Sequence, residues 1–131
     1  YEIIFGAGVI HSLPEAAYLV NVSNDAWFGR SLAPHQHLEM ARMRALETGR
    51  YLLRATNTGI SAVIGPDGRI IDRSRQFEPA TVTAEILPRT GSTPYVLAGN
   101  LPAITLALLL LCAGLLRTWR GRRRPEPGGS V

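Results

Sequence analysis

At 131 residues the chain has room for one modest domain, and its 14 basic and 10 acidic side chains leave a net charge of +4. The excess sits at one end: residues 1–116 carry nine Arg against nine acids, while Arg117, Arg120, Arg122, Arg123 and Arg124 face Glu126 alone. A neutral body lacks the basic, aromatic-laced surface that nucleic-acid binding needs, and a single cysteine, Cys112, excludes an internal disulfide framework.

In chain order, Tyr1-Glu2-Ile3-Ile4-Phe5-Gly6 opens without Met or a targeting pattern, so the sequence reads as part of a longer protein. Residues 17–22 (AYLVNV) form a short apolar run of the kind that becomes a buried strand. A polar-aromatic loop follows, Ser23-Asn24-Asp25-Ala26-Trp27-Phe28-Gly29. Pro34 suits the first turn of a helix over 35–48, with Gly49 as its stop. On that helix Leu38, Ala41, Ala45 and Gly49 share a face, Glu39, Arg42 and Glu47 can make local ion pairs, and Met40 and Met43 read as packing.

Residues 51–56 and 60–64 read as strands around Asn57-Thr58-Gly59. Gly65-Pro66-Asp67-Gly68 is a turn, residues 69–72 continue as a hairpin partner, and alternation over 81–86 predicts a further strand. One strand, one helix and several strands imply an α/β layered fold with a sheet buried under helices.

The run 97–116 holds no charge and nine leucines; at 1.5 Å per residue it reaches about 30 Å, the thickness of a bilayer's hydrocarbon core. It lies too far from the N-terminus for a signal peptide and lacks the polar face of a soluble core helix. The expected organisation is a folded segment over 1–95, a membrane span over 96–116 and an Arg-rich tail over 117–131. The tail's charge places it on the cytoplasmic side and the folded segment on the other. Cys112 falls inside the span as apolar filler, and 125–131 reads as disordered.

There is no Gly-rich phosphate loop, Cys pair or His-Glu metal spacing, so neither a metal nor a cofactor is expected. Ser23, Asp25, His35 and His37 include the residue types of a Ser-His-Asp triad, but nothing sets the serine on a nucleophile turn. His35 and His37, two apart, point to different sides of a helix and read as surface or helix-start residues. Trp27 and Phe28 either cap the core or contact an apolar partner; the nearby span favours a membrane or acyl chain.

The opening hexapeptide, the Ser23 to Gly29 loop, Met40-Ala41-Arg42-Met43-Arg44-Ala45-Leu46-Glu47 with Gly49-Arg50, and Leu53-Arg54-Ala55-Thr56-Asn57-Thr58-Gly59 together resemble the bacterial apolipoprotein N-acyltransferases. Ala62-Val63-Ile64-Gly65-Pro66 and Thr90-Gly91-Ser92-Thr93-Pro94-Tyr95 extend the likeness. Residues 44–68 are shared in outline with the wider carbon-nitrogen hydrolase, or nitrilase, superfamily. The resemblance implies an αββα sandwich of which this is the C-terminal part, followed by one transmembrane helix. It also implies a Glu-Lys-Cys catalytic set, with Tyr1-Glu2 matching the last two positions of a Cys-Tyr-Glu pattern. The nucleophile would then lie just before Tyr1, the other two catalytic residues further upstream, and the chain by itself would be inactive.

On that footing the Tyr1 backbone N–H serves the oxyanion, Glu2 supports the site by hydrogen bonding, and Asn24, Trp27 and Phe28 line a substrate entrance. The implied partners are a phospholipid acyl donor, a diacylglyceryl-apolipoprotein acceptor and the membrane. The implied location is the bacterial inner membrane with the catalytic domain periplasmic. An amidase or nitrilase on the same fold and a non-enzymatic membrane-anchored module are the alternatives; soluble relatives of the first kind lack the span and the Ser23 to Gly29 loop.

Overall fold

The computed structural model describes residues 2–122, with the backbone alone at residues 2 and 120–122. Residues divide into two compact units, Tyr1–Gly99 and Asn100–Val131. The first unit begins with 3₁₀ turns and a single helical turn, α1 (Gly6–Val9), and continues through β1 (Leu19–Ser23), α2 (Ala33–Thr48), β2 (Leu52–Thr56), β3 (Ala62–Ile64), β4 (Ile70–Arg73) and α3 (Pro94–Ala98).

The four strands form one sheet in the order β1-β2-β3-β4. β1 and β2 are parallel, with Asn21 beside Arg54 and Ser23 beside Thr56, and α2 is the crossover between them. β2, β3 and β4 form an antiparallel meander, so the segments following β1, β2 and β4 emerge at one end of the sheet and the β3–β4 turn at the other. That turn is Gly65-Pro66-Asp67-Gly68, closed by Gly68 N–H on the Gly65 carbonyl at 2.9 Å, with Gly68 at φ 76° as expected of its sequence.

Helix α2 lies on one sheet face. Its stripe Leu38, Ala41 and Ala45 packs with Ile3, Leu52, Ile60, Ala62 and Ile64 to make the core. The helix ends where expected: Gly49 takes φ 64°, and the Arg50 N–H returns to the Ala45 carbonyl at 3.2 Å. Buried Arg50 then straps distant loops together, donating to the carbonyls of Ala16 at 2.7 Å and Gly91 at 2.7 Å.

Two expectations change. No strand forms over 81–86: Val82, Ala84 and Ile86 are half-buried between exposed neighbours, so the alternation is present, but no neighbouring strand completes a ladder. The expected helix over 97–116 is divided. Thr93 caps α3, whose Oγ1 accepts the Val96 N–H at 3.2 Å, and Gly99 leaves helical geometry at φ 54°. The second unit's helix, α4 (Leu101–Arg122), therefore starts at Leu101, not Leu97, and continues past Leu116 because no Pro interrupts it before Pro125. Leu101–Trp119 is long and apolar enough to cross a membrane. The tail segment 125–131, read as disordered, lies outside the described residues.

Candidate functional site

Along the face of β1 and β2 that meets α2, chemistry changes from apolar to polar. Leu19 and Leu52 adjoin the core, whereas the next inward positions are Asn21 with Arg54 and Ser23 with Thr56. A buried guanidinium in a strand needs an anion, since an unpaired charge in the interior costs several kcal/mol, on the order of 3–5 when a pair is broken. The loop after β1 supplies it: Arg54 Nη2 donates to Asp25 Oδ2 at 2.8 Å, and neither side chain is accessible to solvent. Arg54 Nη1 donates to Asn21 Oδ1, while Nε has no hydrogen-bond partner.

The other carboxylate oxygen, Oδ1, accepts from Ser23 Oγ at 2.8 Å and from His37 Nδ1 at 3.2 Å. A carboxylate only accepts, so His37 carries its proton on Nδ1 in that contact, leaving Nε2 as the acceptor of the neutral ring. The Asp25 backbone N–H donates to Asn57 Oδ1 at 3.1 Å, and Asn57 Nδ2 donates to Asn24 Oδ1 at 2.7 Å, so the loops after the two parallel strands clasp each other. Gly59 closes the arrangement: a Cβ there would lie 2.2 Å from Asp25 Oδ2. Burial by itself raises the Asp25 carboxyl, but the hydrogen bonds from Ser23 and His37 and the Arg54 charge outweigh it and hold the group below its ordinary range. Burial draws Arg54 downward, against the pull of Asp25.

Above this hub the loop forms one 3₁₀ turn, Ala26–Phe28. Val22, Ser23, Asn24, Trp27, Phe28 and His37 line a cleft of about 310 Å³. Phe28 stands edge-on to the His37 ring, centroids 5.0 Å apart. Trp27 is 87% exposed, which rejects the core-capping role for it; Phe28 is half-buried.

A second acid–base pair lies further along α2. Arg44 Nη2 donates to Glu47 Oε1 at 3.1 Å, and Nη1 lies 2.9 Å from Oε2 but is not aligned to bond it. Burial pushes the Glu47 carboxyl up, and the Arg44 charge offsets this only in part. The segment following Glu2 packs on this pair, since a Cβ at Gly6 would lie 1.8 Å from Arg44 Nη1 and 2.5 Å from the Tyr95 hydroxyl.

The carbon-nitrogen hydrolase family model matches residues 1–95. The chain belongs to the carbon-nitrogen hydrolase family. Within it, the chain is 54% identical over 124 residues to the apolipoprotein N-acyltransferase of Methylococcus capsulatus, covering 95% of this chain and 24% of the relative. It is 52% identical over 124 residues to that of Nitrosomonas europaea, covering 95% and 25%. Against that of Azotobacter vinelandii it is 44% identical over 131 residues, covering 100% and 25%. The chain thus spans about a quarter of the length of these curated relatives. The four-stranded sheet with α2 on one face agrees with a carbon-nitrogen hydrolase fold.

Of the site residues expected from sequence, Asn24, Trp27 and Phe28 meet in one cleft. Glu2 begins a 3₁₀ turn, Glu2–Ile4, whose Ile3 is anchored in the core; Tyr1 and the Glu2 side chain lie outside the described residues. His35 is exposed as expected, but His37 is not a surface residue: it is half-buried against Asp25. Ser23, Asp25 and His37 do come together, yet Ser23 and His37 both bond the carboxylate, so the imidazole is not placed to activate the hydroxyl. Sequence reading missed Arg54, Asn57 and Gly59. The available signal was an arginine inside an apolar strand, between Leu53 and Ala55, whose buried charge requires a partner.

Among the described residues, no group of three or more His, Cys, Asp and Glu is arranged to hold a metal.

Proposed function

We propose that the chain is the C-terminal quarter of an apolipoprotein N-acyltransferase, which moves an acyl chain from a phospholipid to the diacylglyceryl-modified N-terminal cysteine of lipoproteins. The observation that carries the reading is 54% identity over 95% of this chain to a relative of that name, continuing beyond residue 95 into the apolar helix.

In this reading a cysteine thiolate immediately preceding Tyr1 attacks the ester carbonyl of the donor. A thioester forms, and the lysophospholipid leaves once its alkoxide is protonated. The acceptor's α-amino group then attacks the thioester; an amide forms, the amine gives up a proton, and the thiolate is released. The Tyr1 N–H stabilises the oxyanion of both tetrahedral intermediates, and Glu2 supports the site by hydrogen bonding. An upstream Glu moves the protons and an upstream Lys assists the oxyanion. Neither step requires a cofactor.

Asn24, Trp27 and Phe28 form part of the substrate entrance. The cleft supports this by joining a polar amide to two aromatic faces, suited to the boundary between a lipid headgroup and its chains. Helix α4 spans the inner membrane, with the Arg-rich tail cytoplasmic and residues 1–95 periplasmic.

The test is acyl transfer by the full-length polypeptide in membranes lacking any other such enzyme, read by mass spectrometry of a lipoprotein N-terminus. A mass gain of one acyl chain is the expected result, and Trp27→Ala lowers its rate at least tenfold. An unmodified N-terminus together with ammonia release from small amides would instead identify an amidase.

A further inference from the structure

We infer that Arg44, held by Glu47 and joined by Tyr95, is a positioning residue for the reaction: its guanidinium backs the chain at Gly6 and so fixes where the oxyanion-binding N–H of Tyr1 stands. This inference rests on the acyl-transfer reading above and deepens it, because it gives α2 and α3 a part in a step otherwise carried by residues at or before Tyr1 and Glu2.

Between the nucleophile position and α1 the chain has two fixed points. Ile3 is anchored in the core and Gly6 is buried, whereas Phe5 between them is 66% exposed. Whatever stands against Gly6 therefore governs the setting of the 3₁₀ turn Glu2–Ile4, which continues directly from Tyr1. What stands there is polar. A Cβ on Gly6 would lie 1.8 Å from Arg44 Nη1, 3.0 Å from Arg44 Cζ and 2.5 Å from Tyr95 Oη. A methyl group could enter only by driving the guanidinium and the phenol aside.

The guanidinium is held from two directions. Arg44 Nη2 donates to Glu47 Oε1 at 3.1 Å, three residues on along α2, and both side chains are largely buried. Thr93 Oγ1 donates to the Glu47 backbone carbonyl while accepting the Val96 N–H at 3.2 Å, which fixes the start of α3 and with it Tyr95. The end of α2, the start of α3 and the turn after the nucleophile thus meet at one side chain.

Stability is not what this arrangement serves best. Arg44 Nε and Glu47 Oε2 are buried without a hydrogen-bond partner, and burial pushes the Glu47 carboxyl up. An apolar pair of similar volume would cover Gly6 without stranding two polar atoms. Accuracy is the property that the ionic pair adds. An oxyanion donor works within about 2.7–3.1 Å of the developing charge, and a displacement of about 1 Å costs roughly 10²-fold in rate. The planar guanidinium fork defines an orientation that a flexible ammonium does not, and glycine lets it approach the backbone itself.

The experiment compares the full-length protein, in detergent micelles with phospholipid, with its Arg44→Lys, Tyr95→Phe and Gly6→Ala variants. Two rates are read at the cysteine preceding Tyr1. Thioester formation from phospholipid needs the oxyanion site; alkylation by iodoacetamide, a direct displacement at carbon, needs none. We expect thioester formation to fall at least tenfold in Arg44→Lys and Gly6→Ala and about threefold in Tyr95→Phe. The KM for phospholipid and the alkylation rate should stay within twofold of the unsubstituted protein. Gly6→Ala combined with Arg44→Lys should lose no more than the worse single variant, since both disturb one contact. Should Gly6→Ala fail to fold, Arg44→Lys and Tyr95→Phe, which add no volume, carry the test.

Thioester formation within twofold of the unsubstituted protein in Arg44→Lys and Tyr95→Phe overturns the inference. So does a loss matched by an equal fall in alkylation or by a raised KM, which assigns the cluster to general packing. The two claims separate cleanly: unsubstituted protein that forms no thioester removes the enzyme assignment and the inference with it, whereas a thioester that the variants form equally fast removes the inference alone.

Discussion

Asp25 and Glu47 are both acids drawn from water and set against an arginine, yet the fold moves them in opposite directions. Asp25 is the more deeply buried, and its carboxyl is held below the ordinary range; Glu47 is pushed above it. The difference lies in the count and quality of donors. Asp25 receives Ser23, His37 and Arg54 on its two oxygens, whereas one oxygen of Glu47 has no hydrogen-bond partner. Desolvation acts on every buried carboxylate, and at Asp25 aligned donors and the close Arg54 charge together reverse its sign. A hub so fully bonded fixes the loop that carries Trp27 and Phe28. The looser pair holds the turn after Glu2 mainly by packing.

The largest way to break that contrast is Asp25→Asn, which leaves the Arg54 charge buried without an anion. We expect about 3–5 kcal/mol of lost stability in the full-length protein, read from its thermal melt. Glu47→Gln, by contrast, should change stability by no more than about 1 kcal/mol, since the pair already contains an unbonded oxygen. Equal losses in the two variants would dissolve the comparison.

Next in size is Gly59→Ala. Its methyl would meet Asp25 Oδ2 at 2.2 Å, and overpacking of this kind costs about 1–3 kcal/mol. Hydrogen exchange should speed up in the loops after β1 and β2 while the α2 core stays protected. An unaltered exchange pattern would show that the clasp does not depend on Gly59.

The pH dependence sharpens the comparison further, because the two acids contribute with opposite slopes. Asp25, with a folded value below 3.8, makes the folded state bind fewer protons than the unfolded one. Its contribution is complete above 3.8 and is lost as pH falls through the lowered folded value. Glu47, with a folded value above 4.5, makes the folded state bind more protons, so stability declines as pH rises from 4.5 toward that raised value. Melts across this range should lose the acid limb in Asp25→Asn and the declining limb in Glu47→Gln. The smallest effect belongs to Glu39→Ala. Its pair with Arg42, at 2.9 Å, is partly exposed, and we expect a loss of about 0.5 kcal/mol, detectable as a small shift in the same melt.

Much of the scaffold was legible in the sequence because its signals are local. The α2 stripe, the Gly49 stop and the Gly65 to Gly68 turn each depend on residues within a few positions of one another, and each appears as expected. The 81–86 run failed for the converse reason, since a strand exists only with a partner, and alternation does not supply one. His37 was misplaced because its partner, Asp25, is twelve positions away across a loop and a helix start.

By itself the sequence determined the family, the succession from β1 through α2 to β4, the charge asymmetry and the presence of one long apolar helix. Composition and short-range pattern are enough for these. Only the tertiary structure decided that the Ser23 to Gly29 loop is held by a buried carboxylate, that Arg54, Asn57 and Gly59 belong to its support, and that Phe77 stands beside Arg30. The physical reason is the parallel crossover: passing through α2 brings the ends of β1 and β2 side by side, so residues some thirty positions apart share one desolvated site.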